Sequence, residues 1–249
     1  MPRQVQVDAA LGYDTAWAAA LQRVQAEGHQ LVEIDFAPLF DVAALLYEGP
    51  WVAERHAVVQ DLLARDPSAL DDSVRQVIAR AQAFNATQTF EGQYRLQALR
   101  TQLQALWQQV DQLMVPSVPT HPRFAEVDAD PLGANAHLGL YTNFVNLLGW
   151  CALALPAGRS AQGLPFGVTM IARGGFDAAL AAAWQAWAPG DALPAGPLPA
   201  TEATLPLAVV GAHLSGLPLN GQLLERGATL LQATTTAPHY RLFALPDTT

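Results

Sequence analysis

The chain has 249 residues, half of them apolar, and a net charge of -9. That is a globular composition with room for one large domain, or one domain and a piece, and it excludes a disordered chain. The acidic balance makes nucleic acid a poor partner, and the longest apolar run, residues 147–157, is too short to span a membrane. The single cysteine, Cys151, cannot form an internal disulfide, which fits a reducing compartment. The opening MPRQVQVDAALGYD lacks the apolar stretch of a secretory leader, so a cytoplasmic protein is expected. All 13 basic residues are arginine and none is lysine. Coding bias toward Ala and Arg explains a scarcity of lysine, but a functional lysine would resist such bias.

In chain order, residues 14–28 set Ala16, Ala20, Leu21 and Val24 at helical spacing, with Gly28 placed as a C-cap. QLVEIDF (30–36) alternates and reads as a short strand. A helix feeding a strand in this way is the unit of an α/β layer. Residues 37–48 read as a helix broken by Gly49-Pro50, and Pro50 suits the start of a helix running to about Arg65. Two more helices are predicted at 71–82 and 84–110. Leu96, Leu99, Leu103, Leu106 and Val110 stripe the second for the core, and its Gln-rich face is solvated. QLMVPSVPT reads as a buried strand, 116–132 as an irregular loop with four prolines, and 133–148 as a helix. Strands at 152–155 and 166–171 follow, joined by a turn that Gly158, Gly163 and Gly167 favour, and then an Ala-rich packing helix in FDAALAAAWQAW.

Residues 189–206 carry five prolines and no periodicity, the composition of a linker. It divides the chain into 1–188, the linker 189–206, and a tail 207–249. In the tail, LAVVGAHLSG predicts a strand and turn, 219–226 a short helix, and ATLLQATTT and YRLFAL strands. So short a tail rarely makes an adequate core without a disulfide or metal, and it reads as the opening of a small α+β domain.

Few residues stand out chemically. The six histidines (29, 56, 121, 137, 213, 239) lack metal-ligand spacing and have no cysteine pair to join, so neither metal nor cofactor is expected. Tyr47 and Arg55 flank the Gly-Pro break, where a phenol and a two-pronged guanidinium can converge on a carboxylate. By spacing alone, Arg55 pairing with Glu54 or Glu48 at the surface, beside a core Tyr47, is the favoured reading, since most exposed pairs are ordinary surface pairs. Tyr141-Thr142-Asn143-Phe144-Val145-Asn146 is a polar-aromatic run inside an apolar helix, open to packing and capping roles. His213 in GAHLSGLPLN follows a predicted strand and reads as a turn residue.

The segments LLYEGPWVAER (45–55), LGLYTNFVNLLGWCALALPAG (138–158) and GLPFGVTMIA (163–172) resemble the later half of an amidase-signature enzyme and, within that family, the allophanate hydrolases. The resemblance runs over most of the chain. It implies an α/β fold, part of a mixed-sheet α/β/α sandwich, and amide hydrolysis of allophanate to ammonia and carbon dioxide in urea breakdown. In that chemistry a serine attacks the amide carbonyl, and its proton passes through a second serine in a cis peptide to a lysine. Backbone N–H groups hold the oxyanion. No two of Ser68, Ser73, Ser117, Ser160 and Ser215 are adjacent, and lysine is absent, so those elements are expected before the stretch matched here and the chain alone is expected to be inactive.

The resemblance assigns Tyr47 and Arg55 to the substrate carboxylate and places Tyr141 and Asn143 beside the pocket. It gives GLPFGV a scaffold role and sets His213 at the start of a C-terminal domain linked to handling the first product. The implied partners are a carboxylate-bearing amide, a complementary N-terminal amidase half and, by family, urea carboxylase. A non-catalytic carboxylate-binding module derived from an amidase is the alternative.

Overall fold

The computed structural model describes residues 1–187, 207–209, 211–217 and 219–235. The chain divides into two compact units, Met1–Ala192 and Leu193–Thr249; the Pro-rich segment 189–206 lies outside the described residues.

In the first unit, helix α1 (Tyr13–Ala26) buries Tyr13, Ala16, Trp17, Ala20 and Val24. It ends as its sequence predicts. Gly28 adopts φ 91, its N–H reaches Gln25 O at 3.0 Å, and His29 N–H reaches Val24 O at 3.2 Å, which is the paired-bond closure that a left-handed glycine permits.

The next segment corrects an expectation. QLVEIDF forms no regular strand and makes one parallel bridge, Pro2 to Ile34, with Ile34 N–H on Met1 O and Arg3 N–H on Ile34 O. Its alternation is genuine: Val32, Ile34 and Phe36 join one core and Leu31 the other. Among the described residues, however, its ladder partner is only the first few residues of the chain.

The sheet has three antiparallel strands in the order β1-β3-β2. They are β1 (Leu113–Pro116), β2 (Cys151–Arg159) and β3 (Pro165–Ala172). Both faces are covered, as alternation across a pleat requires. Leu113, Val115 and Ile171 face one core, while Met114, Phe166, Val168 and Met170 face the other. Buried Thr169 satisfies its hydroxyl on Ser117 Oγ at 2.8 Å. β2 and β3 outrun the predicted 152–155 and 166–171, because a bulge between Pro156 and Gly158 lets pairing continue to Arg159–Pro165. Gly163 (φ 79) then closes the turn, while Gly167 lies within β3, where a side chain would crowd Ser117 Oγ at 3.1 Å.

Helix α9 (Asp177–Ala183) and α1 cover one face of the sheet, with Leu180, Trp184 and Trp187 buried. On the other face lie α2 (Ala37–Glu48), α5 (Ala86–Leu103) and α8 (Asn143–Leu148). The result is an α/β/α sandwich. Helix α3 (Trp51–Arg65) packs beside α2, and α4 (Asp72–Ala79) packs on α3.

Three predicted boundaries move. The helix of 84–110 starts at an Asn85–Gln88 capping box and tightens to a 3-10 turn at Gln104–Gln108. The expected loop 116–132 contains α6 (Phe124–Ala129), started by Arg123 N–H on Glu126 Oε2 at 2.7 Å. The predicted helix 133–148 is two helices, α7 (Pro131–Leu138) and α8, parted at 139–142. Asn143 lies so close over Gly139 that a side chain there would meet its Oδ1 at 2.2 Å, and the intervening turn sends Tyr141 into the core.

In the second unit a 3-10 turn, Gly211–His213, precedes α10 (Asn220–Leu224). Residues 207–209 and 228–235, expected as strands, form none among the described residues. Leu230 and Leu231 stay 74% and 80% exposed, so no apolar face is buried to reward pairing. YRLFAL lies outside the described residues.

Candidate functional site

The Gly49-Pro50 break builds the site. Helix α2 ends with Gly49 N–H on Leu45 O at 3.0 Å. A side chain at Gly49 would sit 2.4 Å from that same carbonyl, so only glycine lets the chain turn so tightly. Pro50 caps α3, which begins at Trp51. Helix α5 closes against the break through Gly92, where a Cβ would meet Pro50 Cγ at 2.7 Å. This close approach opens a cleft of about 280 Å³ between α2, α3, α5 and α8, lined by Leu46, Trp51, Glu54, Arg55, Leu96, Arg100, Asn146 and Leu147. Its size suits part of a small molecule.

Arg55 lines this cleft and is half-buried. Tyr47 stands in the last turn of α2, next to the lining residue Leu46; its side chain lies outside what is described. Arg100 donates through Nη2 to Leu147 O, tying α5 to the C-terminal end of α8. There, helical carbonyls lack partners and the helix dipole favours a cation.

The other predicted residues lie elsewhere. Tyr141 is fully buried in the core of the α2/α5/α8 layer. Its hydroxyl accepts from Gln6 N–H at 2.6 Å and donates to Gln6 O at 3.3 Å. Burial pushes its phenol above the ordinary tyrosine range, with the Gln6 N–H bond pulling more weakly the other way. Asn143 is half-buried, packed over Gly139, and is not among the lining residues. His213 belongs to the second unit, where its carbonyl accepts from Asn220 Nδ2 at 3.0 Å.

Sequence reasoning missed Trp51, Glu54, Arg100 and Asn146. Trp51 and Glu54 sit inside the quoted segment 45–55. Asn146 is one helical turn beyond Asn143, and Arg100 is one turn beyond core Leu96 on the same edge of α5. Those i, i+3 and i, i+4 relations were the available signal. A smaller cleft of about 160 Å³ includes Trp107, Asp111, Gln112, Arg173 and Phe176. There Gln112 accepts from Trp184 Nε1 and Arg173 lies over the Phe176 ring. Among the described residues no three His, Cys, Asp or Glu side chains gather as a metal site, and no helix is long and apolar enough to cross a membrane.

Comparison with known proteins agrees with the resemblance read in the sequence. The Amidase family matches residues 2–181, and the allophanate hydrolase C-terminal domain family matches residues 205–249. Urea amidolyases of Lachancea kluyveri and Saccharomyces cerevisiae are 38% and 37% identical to this chain over 93% and 91% of its length. A solved allophanate hydrolase of Kluyveromyces lactis superposes with a TM-score of 0.73 at 34% identity, covering 93% of this chain and 41% of that one. The urea amidolyase of the same organism gives 0.72 at 33% identity, covering 93% and 15%. The chain thus spans 14% of the length of each curated relative.

Proposed function

The chain belongs to the amidase family, as an amidase portion like that of allophanate hydrolases and urea amidolyases, and we propose that it supplies the substrate-recognition wall and scaffold for hydrolysis of allophanate to ammonia and carbon dioxide. The observation that carries this reading is Arg55 in a small cleft beside the Gly49-Pro50 break. A guanidinium there receives a carboxylate through two parallel N–H bonds, with Tyr47 on the adjoining turn of α2 as a third donor. Asn143 sits at the start of α8, one turn from the cleft, and Tyr141 holds that turn through its place in the core. His213 is kept as a candidate for handling product in the second unit. No metal or cofactor enters the proposal.

The chain has no lysine, so no amine side chain is present to take the proton of an attacking serine. In this reading the reaction centre comes from a complementary amidase half, in the same polypeptide or another, and urea carboxylase is the further partner. The setting would be the cytoplasm. Ammonia release is the test. The purified 249-residue chain is expected to give none, and a mixture with a complementary Ser- and Lys-bearing half is expected to turn over allophanate. Turnover by the chain alone would sink the proposal.

In the reconstituted enzyme, Arg55→Ala should raise KM. Arg55→Lys should rescue it poorly, since an ammonium cannot make the two-pronged contact. An unchanged KM for both variants removes Arg55 from the site. The retained cleft together with the missing lysine also favours a second reading, a carboxylate-binding module without catalysis. Ligand binding with no turnover in any mixture would select it.

A further inference from the structure

The smaller cleft lies at one end of the sheet, where β1 begins and β3 ends. Its polar lining is Asp111, Gln112 and Arg173. In the antiparallel pairing of β1 with β3, Leu113 faces Ile171. Continued two steps back from Leu113, that register sets Asp111 opposite Arg173. Facing residues of neighbouring strands stand about 5 Å apart, and opposite charges placed so attract each other. Yet these two form none of the ion pairs found among the described residues. The ladder has ended, and the Arg173 guanidinium lies 4.8 Å from the centre of the Phe176 ring instead. Both charged residues are exposed and line the same cleft of about 160 Å³.

The polar wall is fixed from behind. Cys151 Sγ donates to Arg173 O at 3.2 Å. Gln112 Oε1 accepts from Trp184 Nε1 at 2.6 Å, and the Trp184 ring is stacked on His29 at 5.0 Å. That bond uses the Gln112 oxygen and leaves the two donors of its amide nitrogen. Trp107, Phe176 and Leu180 supply apolar lining, and Trp107 meets Trp150 edge-on at 4.7 Å. The cleft therefore offers donors for an anion in Arg173 and Gln112, an acceptor for a cation in Asp111, and a short apolar span. A molecule with both charges uses all three, and a molecule with one charge leaves a wall unused.

We propose that this cleft binds a short zwitterionic amino acid, with its carboxylate on Arg173 and Gln112 and its ammonium on Asp111. The volume is the share of roughly five waters in the liquid, which suits a molecule of about as many heavy atoms, such as β-alanine. The inference stands apart from the Arg55 cleft and does not rest on the reading given for it.

The probes are β-alanine, propionate, which lacks the ammonium, and propylamine, in which a methyl replaces the carboxylate. Each is titrated into the full 249-residue chain, isotope-labelled, at low salt. Binding is read by NMR from the Trp184 Nε1–H signal, which its bond to Gln112 ties to this cleft. β-Alanine is expected to bind about fivefold more tightly than either analogue, the upper worth of an exposed charge pair. The preference should shrink as salt is raised, since exposed charges are screened. Asp111→Asn should bring β-alanine down to the level of propionate, and Arg173→Gln should bring it down to that of propylamine. Arg55→Met should leave the titrations unchanged. The inference is overturned if β-alanine binds no more tightly than both analogues. It is also overturned if the preference over propionate survives Asp111→Asn, if that over propylamine survives Arg173→Gln, or if Arg55→Met abolishes either.

Discussion

On one face of the sheet, α1 and α9 press Trp17, Trp184 and Trp187 onto Met114, Val168 and Met170. Two of these indoles have hydrogen-bond partners: Trp187 Nε1 donates to Pro156 O at 2.8 Å and Trp184 Nε1 to Gln112 Oε1 at 2.6 Å, and Arg23 lies 3.8 Å over the Trp187 ring. The other face also buries an aliphatic and aromatic core through α2, α5 and α8, but at its margin the break at Gly49-Pro50 leaves a cleft with two arginines. One layer is closed by large aromatics. The other is left open by small residues, Gly49 and Gly92, that hold helices at a set separation. In the proposed reading, stability and recognition fall to different faces of one sheet, and substitutions should separate them.

The largest effect should come from Trp187→Ala, which removes a buried indole and its hydrogen bond. A loss of about 3–5 kcal/mol is expected in denaturant unfolding, with carboxylate binding at Arg55 unchanged in the folded fraction. A loss below about 1 kcal/mol would show that the aromatic layer does not hold this unit together. Next comes Gly92→Ala. Alanine gains about 1 kcal/mol in a helix interior, but a Cβ 2.7 Å from Pro50 Cγ overpacks the contact at about 1–3 kcal/mol. Slight net destabilisation and severalfold weaker carboxylate binding should result. A more stable protein with normal affinity would mean that α5 does not set the cleft.

Tyr141→Phe should cost about 1–2 kcal/mol at neutral pH, because it leaves the Gln6 backbone groups without a partner. Its pH dependence sharpens the test. Burial raises the phenols of Tyr141 and Tyr13 above 10.0, with the Asp8 charge adding to the effect at Tyr13. The folded state then holds these protons more tightly than the unfolded chain. Their contribution is intact below about pH 10 and is lost as pH rises through the raised values. Melting curves of the wild type should fall steeply above pH 10, and Tyr141→Phe should fall less. Parallel curves would place Tyr141 outside that transition. The smallest effect should be Arg95→Ala. It removes an exposed 3.2 Å pair with Asp41, and a change within about 0.5–1 kcal/mol is expected in the same unfolding assay.

Periodicity exposed the elements whose burial follows one helix or strand. The stripe Leu96, Leu99, Leu103 and Leu106 is core, and Gly28 closes α1 as its residue type demands. The segment 45–55 also pointed to the cleft, because the turn and Arg55 are neighbours in the chain. What stayed hidden depends on partners distant in sequence. QLVEIDF has strand alternation, but its pairing partner is the chain's first residues. Residues 228–235 have strand composition but bury nothing. Tyr141 is held in the core by a bond from Gln6 N–H, 135 positions away. Arg100 borders the apolar stripe of α5, and only the approach of α8 gives its guanidinium a partner in Leu147 O.

By itself the sequence was enough for the family, for alternating helices and strands, and for the absence of any lysine, because composition and short-range pattern carry those. Which side chains share the cleft was decided by tertiary structure alone. Arg55, Arg100 and Asn146 lie up to 91 positions apart (146 minus 55), on three helices brought together by steric contacts such as Gly92 on Pro50. The separation of packed helices is set by contact in space, and no local pattern records it.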